Sequence, residues 1–287
     1  MAQTIESTID EYKGGALSRR TFLTRLITLT GSMAATHWLL ESSGLADVVS
    51  ERESQAIQVT SETVRYATDK GVNVTGHLSV PGATGKFPAV VVIHENRGLN
   101  EHTRDVARRF AAAGFVALAP DLLSRKGGTG AMESPDKARE AITSLPAEDT
   151  MADLKACLRF LDSHAKVNKG QLGSVGFCWG GARSFLLAAE SPVLRAAVVF
   201  YGSAPEAEKI AQIRCPVLGL YGETDERITS KVPTVAEQME KAGKSFTHKI
   251  YAGAGHAFFN DTGERYDAAA ARDSWTRALK FLRGNLK

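Results

Sequence analysis

A cysteine between two glycines is the sharpest chemical signal in the chain. Gly176-Phe177-Cys178-Trp179-Gly180 follows the apolar stretch Leu172 to Val175 and leads into a helical pattern from Gly181 to Glu190. A buried strand that enters a helix through such a turn is a nucleophile elbow, with cysteine in the position serine usually holds. The nucleophile takes a strained backbone conformation there, so that its side chain projects from the sheet edge. Side chains at Gly176 or Gly180 would collide with the turn. The helix behind Cys178 aims its free N–H groups at the sulfur, which favours the reactive thiolate. The plain alternative is a small buried cysteine with no chemistry.

An activated thiol needs a base, and the base needs an orienting acid; in this arrangement they follow the nucleophile in the order acid, then histidine. Val217 to Tyr221 reads as a strand that ends in the loop Gly222-Glu223-Thr224-Asp225. Gly253-Ala254-Gly255-His256-Ala257-Phe258 places a histidine between the last strand and the last helix. His256 would accept the thiol proton and pass it to the leaving group, while Asp225 would orient the imidazole and stabilise its charged form. Glu223 competes with Asp225, which is placed better in the loop. His94, His102 and His248 lack such loops and read as structural or surface groups.

These residues need a scaffold, and the apolar pattern describes one. Gln58 to Tyr66 and Val72 to Val80 alternate as an antiparallel pair at a sheet edge. Ala89-Val90-Val91-Val92-Ile93 is continuous, as in a strand buried on both faces. Strands and helices then alternate: helix Glu101 to Gly114, strand Phe115 to Asp121, helices near Lys137 to Ser144 and Asp149 to His164, and strand Gln171 to Phe177. Strands at Ala196 to Tyr201, Val217 to Tyr221 and Phe246 to Tyr251 follow, with a final helix from Tyr266 to Arg283. The reading is α/β: one domain with a doubly wound, mostly parallel sheet and helices on both faces.

Bulk properties narrow the classes. The 287 residues are 43% hydrophobic and 23% charged, with a net charge of +3 and no basic block. Neither nucleic acid nor an anionic membrane is suggested as a partner. Cys157, Cys178 and Cys215 are too few for a disulfide framework and lack zinc-site spacing, and nothing requires a metal or cofactor. Ser18-Arg19-Arg20-Thr21-Phe22-Leu23 resembles a twin-arginine export motif. The stretch from Leu26 to Leu40 after it is too interrupted by polar residues for a stable membrane anchor, and Gly44-Leu45-Ala46 suits a signal peptidase. The expectation is a signal segment over 1–46, export to the periplasm or beyond, and an enzyme domain over 47–287. The alternative is an amphipathic helix on a cytoplasmic enzyme.

With the elbow, Val92-Ile93-His94-Glu95-Asn96-Arg97-Gly98-Leu99-Asn100, Ala119-Pro120-Asp121-Leu122 and Gly255-His256-Ala257-Phe258 in view, the chain from about Val59 onward resembles the dienelactone hydrolases (carboxymethylenebutenolidases) of the α/β-hydrolase fold. The resemblance implies lactone opening through a thiol ester, without metal or cofactor, by Cys178, Asp225 and His256. It implies that Glu95 lies near the thiol and helps to deprotonate it. The oxyanion would then be held by the backbone N–H groups of Trp179 and Asn96. Family members that act on dienelactone hold its carboxylate with two arginines. Arg139 is the match for one, but the other position, four residues past the histidine, is Asn260. Losing that cation weakens the case for an anionic lactone, and a less charged ester or lactone becomes the expected small-molecule substrate. Arg265 or Arg97 could stand in for the missing arginine, though each reads first as a solvated surface group. A broad esterase or thioesterase with the same triad, and a non-catalytic binding protein, are the competing classes.

Overall fold

The structure is a computed structural model that describes residues 4–13, 22, 25, 26, 28, 29 and 59–287. The arginine pair at 19–20 and the small-residue step at 44–46 lie outside the described residues. The chain divides into two compact units, Met1–Asp47 and Val48–Lys287. In the first, helix α1 (Ile5–Lys13) carries Glu11, which pairs with Arg25 at 2.8 Å, and Tyr12, whose ring stacks on Phe22 at 4.1 Å. Among the described residues no helix is long and apolar enough to cross a membrane.

The second unit is built on one eight-stranded sheet in the order β1-β2-β4-β3-β5-β6-β7-β8. Its strands are β1 (Val59–Ala67), β2 (Asn73–Pro81), β3 (Phe87–Ile93), β4 (Val116–Pro120), β5 (Val167–Phe177), β6 (Ala196–Phe200), β7 (Val217–Gly222) and β8 (Phe246–Tyr251). β1 and β2 form the antiparallel edge pair, β2 runs antiparallel to β4, and every other neighbouring pair is parallel. β3 shows why its apolar run is unbroken. Ala89, Val91 and Ile93 enter the core on one face, and Val90 and Val92 enter the core on the other. Each of the three valines and Ile93 contributes about 1.5–3 kcal/mol relative to exposure.

Helices cover both faces. α2 (Glu101–Ala112) and α9 (Ala268–Asn285) pack on one; α3 (Pro135–Thr143), α4 (Ala147–Ser163), α5 (Trp179–Glu190), α6 (Ala207–Ile210) and α8 (Val232–Lys241) contribute to the other core. Caps decide where several begin. Asn100 accepts from the N–H of Thr103 at 3.0 Å and starts α2, which ends the loop carrying Glu95 and Asn96. Asp267 caps α9, so that helix starts at Ala268 rather than at Tyr266. A one-turn helix, α7 (Glu226–Thr229), follows Asp225; it is too short to show an apolar period in the sequence.

Candidate active site

Cys178 lies where β5 meets α5, with φ 57° and ψ −117°. That left-handed backbone costs a non-glycine residue on the order of 1–3 kcal/mol, and the packing around it enforces it. A Cβ on Gly176 would strike the carbonyl of Gly180, and one on Gly180 would strike the carbonyls of Ile93 and His94. The elbow is therefore wedged directly against the end of β3, the strand that leads into Glu95 and Asn96. α5 begins at Trp179, two residues earlier than the sequence pattern suggests, and the N–H groups of Trp179 and Asn96 face the sulfur.

A hydrogen-bond chain runs through this sulfur. His256 Nε2 lies 3.0 Å from Cys178 Sγ, and His256 Nδ1 lies 2.5 Å from Asp225 Oδ2. With Nδ1–H donated to Asp225, Nε2 is left to accept the thiol proton. Asp225 is buried just before α7, beyond β7, with its side chain free of any capping bond to that helix, and His256 stands in the loop after β8 beside Ala257, whose φ is 66°. Glu223 is turned elsewhere: its carboxylate accepts from the N–H of Gly253 at 2.9 Å. Asp225 is thus the acid that meets the imidazole.

Glu95 is tied in from the opposite side. Its Oε1 accepts from the Tyr201 hydroxyl at 3.3 Å, and its Oε2 accepts from Asn260 Nδ2 at 2.8 Å. Tyr201 stands just past β6 at φ 39°, is 1% exposed, and lies with its ring 5.1 Å from that of His256. Burial, and then the charges of Glu95 and Cys178, push its phenol well above the usual range, so the hydroxyl stays a donor. Sequence reasoning missed Tyr201. The usable signal was an aromatic residue at a strand end followed by Gly202, where a Cβ would strike the N–H of Ala182.

The thiol departs from expectation. Its pKa is pushed up to about 11, first by burial and then by the charge of Glu95; the N–H groups of Trp179 and Asn96 and the charge of Arg227 pull the other way and lose. The helix N-terminus alone does not make a resting thiolate. Cys157 and Cys215 are fully buried or nearly so, and burial raises both.

The remaining candidates separate. Arg139 points outward from α3, half exposed, 3.6 Å from Asp136, and no contact joins it to the Cys178 cluster. Arg97, Arg227 and Arg265 are exposed. His94 is fully buried and neutral: burial lowers its pKa, Nδ1 donates to the carbonyl of Glu95 at 2.7 Å, and Nε2 accepts from the N–H of Leu122 at 3.3 Å. It supports the strand end on which Glu95 stands. His102 binds Asp261 at 3.0 Å, and His248 is exposed on β8. Among the described residues no group of three His, Cys, Asp or Glu side chains is placed to hold a metal ion. An open cavity of about 510 Å³ lies at the opposite ends of β6 and β7, lined by Arg195, Arg214 and Cys215, away from this cluster.

A mostly parallel sheet clad on both faces, with an elbow after its fifth strand and site loops at the carboxyl ends of later ones, defines the α/β-hydrolase fold. The model of the dienelactone hydrolase family matches residues 74–286, and the chain belongs to that family. It is 31% identical to a protein of Methylorubrum extorquens assigned as a carboxymethylenebutenolidase, over 88% of this chain and 95% of the other. It is 34% identical to a Bradyrhizobium protein assigned as a 2-oxo-3-(5-oxofuran-2-ylidene)propanoate lactonase, over 75% and 91%. Among solved structures, a Klebsiella pneumoniae protein assigned as a dienelactone hydrolase superposes with TM-score 0.72 at 31% identity, over 78% of this chain and 98% of that one. A dienelactone hydrolase-like promiscuous phosphotriesterase from metagenomic libraries gives 0.65 at 26%, over 80% and 99%. The chain is therefore a hydrolase of this family, with a small molecule as substrate.

Proposed function

We propose that this protein hydrolyses a carboxylic ester or lactone through a thiol ester on Cys178. The observation that carries the reading is the unbroken chain Asp225–His256–Cys178, with its 2.5 and 3.0 Å links, seated on a left-handed elbow. As Sγ bonds to the substrate carbonyl carbon, its proton passes to His256 Nε2, and Asp225 stabilises the imidazolium. The carbonyl electron pair moves to oxygen, where the N–H groups of Trp179 and Asn96 receive the charge. Collapse breaks the bond to the leaving oxygen, which takes the proton from His256; in a lactone that oxygen stays in the same molecule. Water then attacks the thiol ester with His256 as base, releasing the acid and restoring the thiol. Glu95 serves as a second, local base for the thiol proton.

The test is hydrolysis of p-nitrophenyl acetate with intact-protein mass spectrometry. The wild type should turn over and trap an acyl group on Cys178 after an acid quench. Cys178→Ala should fall to the buffer rate, a loss of about 10⁴-fold or more. Full activity in that variant would remove the nucleophile assignment. A broad esterase is the second reading, favoured by the likeness to the promiscuous phosphotriesterase; a panel of esters, thioesters and lactones separates the two. We also propose that residues 1–46 direct export by the twin-arginine route and are removed, which rests on the motif at 18–23 and the small residues at 44–46.

A further inference from the structure

The charge of the site is unbalanced. Glu95 and Asp225 bring two carboxylates against one imidazole, and among the described residues no Lys or Arg lies within ion-pair distance of Glu95. Its partners are a phenol and an amide, both neutral. The amide can face only one way. Asn260 Oδ1 accepts from the Thr262 N–H at 3.1 Å and from the Thr262 hydroxyl at 2.7 Å. Turning it over would set its NH₂ group against the Thr262 N–H and its oxygen against the Glu95 carboxylate. Nδ2 is thus committed to Glu95. The next residue, Asp261, is pinned to α2 by Arg109 and by His102, so the loop holds Asn260 in place.

Such a site lowers no barrier for an anion. A carboxylate on the substrate would meet Glu95 in a partly dry space, where like charges repel strongly and no cation paired with Glu95 offsets them. The charges of Arg227 and Arg265 reach Cys178 and Tyr201, but both side chains, like Arg97, are exposed and screened by salt, and none pairs with Glu95. We infer that this site takes uncharged esters and lactones and discriminates against substrates bearing a carboxylate, with Asn260, its amide turned by Thr262, as the residue that sets the preference. The inference rests on the cysteine-hydrolase reading above.

Its test compares p-nitrophenyl hexanoate with mono-p-nitrophenyl adipate, which have the same chain with and without a terminal carboxylate. The wild type should favour hexanoate by about tenfold or more in kcat/KM, chiefly through KM. Asn260→Arg, which puts a cation beside Glu95, should raise the adipate-to-hexanoate ratio of kcat/KM about tenfold, whatever it does to both rates through Glu95. Asn260→Asp, nearly isosteric, should widen the gap. Equal turnover of the two esters by the wild type, a preference for adipate that salt abolishes, or variants that shift both substrates alike would overturn the inference. Neither ester being cleaved, with no acyl group on Cys178, would instead remove the hydrolase reading and this inference with it.

Discussion

Glu95 enters the chemistry of Cys178 on two opposed counts. Its charge holds the proton on the thiol, contributing after burial to a pKa of about 11, while in the proposed mechanism the same carboxylate is a base for that proton. The two effects can be separated by Glu95→Gln. Removing a negative neighbour lowers the thiol pKa, so at pH 7.5 the thiolate fraction rises by tenfold for each unit of the fall. Alkylation of Cys178 by iodoacetamide should therefore speed up, while ester hydrolysis slows by about 10–100-fold through loss of the base. In the wild type, alkylation should keep rising through the alkaline range to about pH 11. Rates followed by mass spectrometry from pH 6 to 11 check this; alkylation that slows in step with hydrolysis would leave Glu95 as a base with no electrostatic hold on the thiol.

At the scale of elements, the loop between β8 and α9 must carry His256 and Asn260 to their partners, and it is clamped to α2 by one carboxylate. Asp261 accepts from Arg109 and from His102, and Arg109 also meets Asp105 at 2.5 Å. Burial would raise the Asp261 carboxyl, but the hydrogen bond from His102 and the charge of Arg109 outweigh it and hold it well below the usual range. A depressed carboxylate contributes stability above its unfolded pKa of about 3.9, and this is lost as pH falls through the folded value. Asp261→Asn should cost about 2 kcal/mol at pH 7, since it takes from a buried arginine one of its two carboxylate partners and leaves Asp105 as the other. Urea unfolding at pH 7 and again near pH 3 should show that gap narrowing in acid. A gap independent of pH would mean that the cost is one of packing.

At the scale of the whole molecule, every residue of the proposed chemistry lies in the unit Val48–Lys287, and the family match begins at residue 74. The export proposal can therefore be tested without touching the site. Expressed in a bacterium with a twin-arginine pathway, the chain should be recovered from the periplasm starting after Ala46. With Arg19→Lys and Arg20→Lys it should stay full-length in the cytosol. A periplasmic protein that still begins at Met1 would sink the cleavage; an unchanged location for the double variant would sink the route.

Much of this was legible in the residues alone. A strand buried on both faces must be apolar throughout, so the runs at β3 and β4, with the alternation of strands and helices after them, announced the sheet. An elbow admits no side chain on either side of its nucleophile, so Gly176 and Gly180 marked Cys178. Asp225 and His256 followed from chain order. What only the tertiary structure decided involves residues far apart in sequence. Tyr201 and Asn260 meet on Glu95, Glu223 is turned to Gly253, Arg139 faces solvent, and burial with Glu95 outweighs the helix N-terminus at the sulfur. Periodicity reports which face of an element is apolar. It carries no record of which polar groups converge once the faces are packed, and those meetings set charge, hydrogen bonding and pKa.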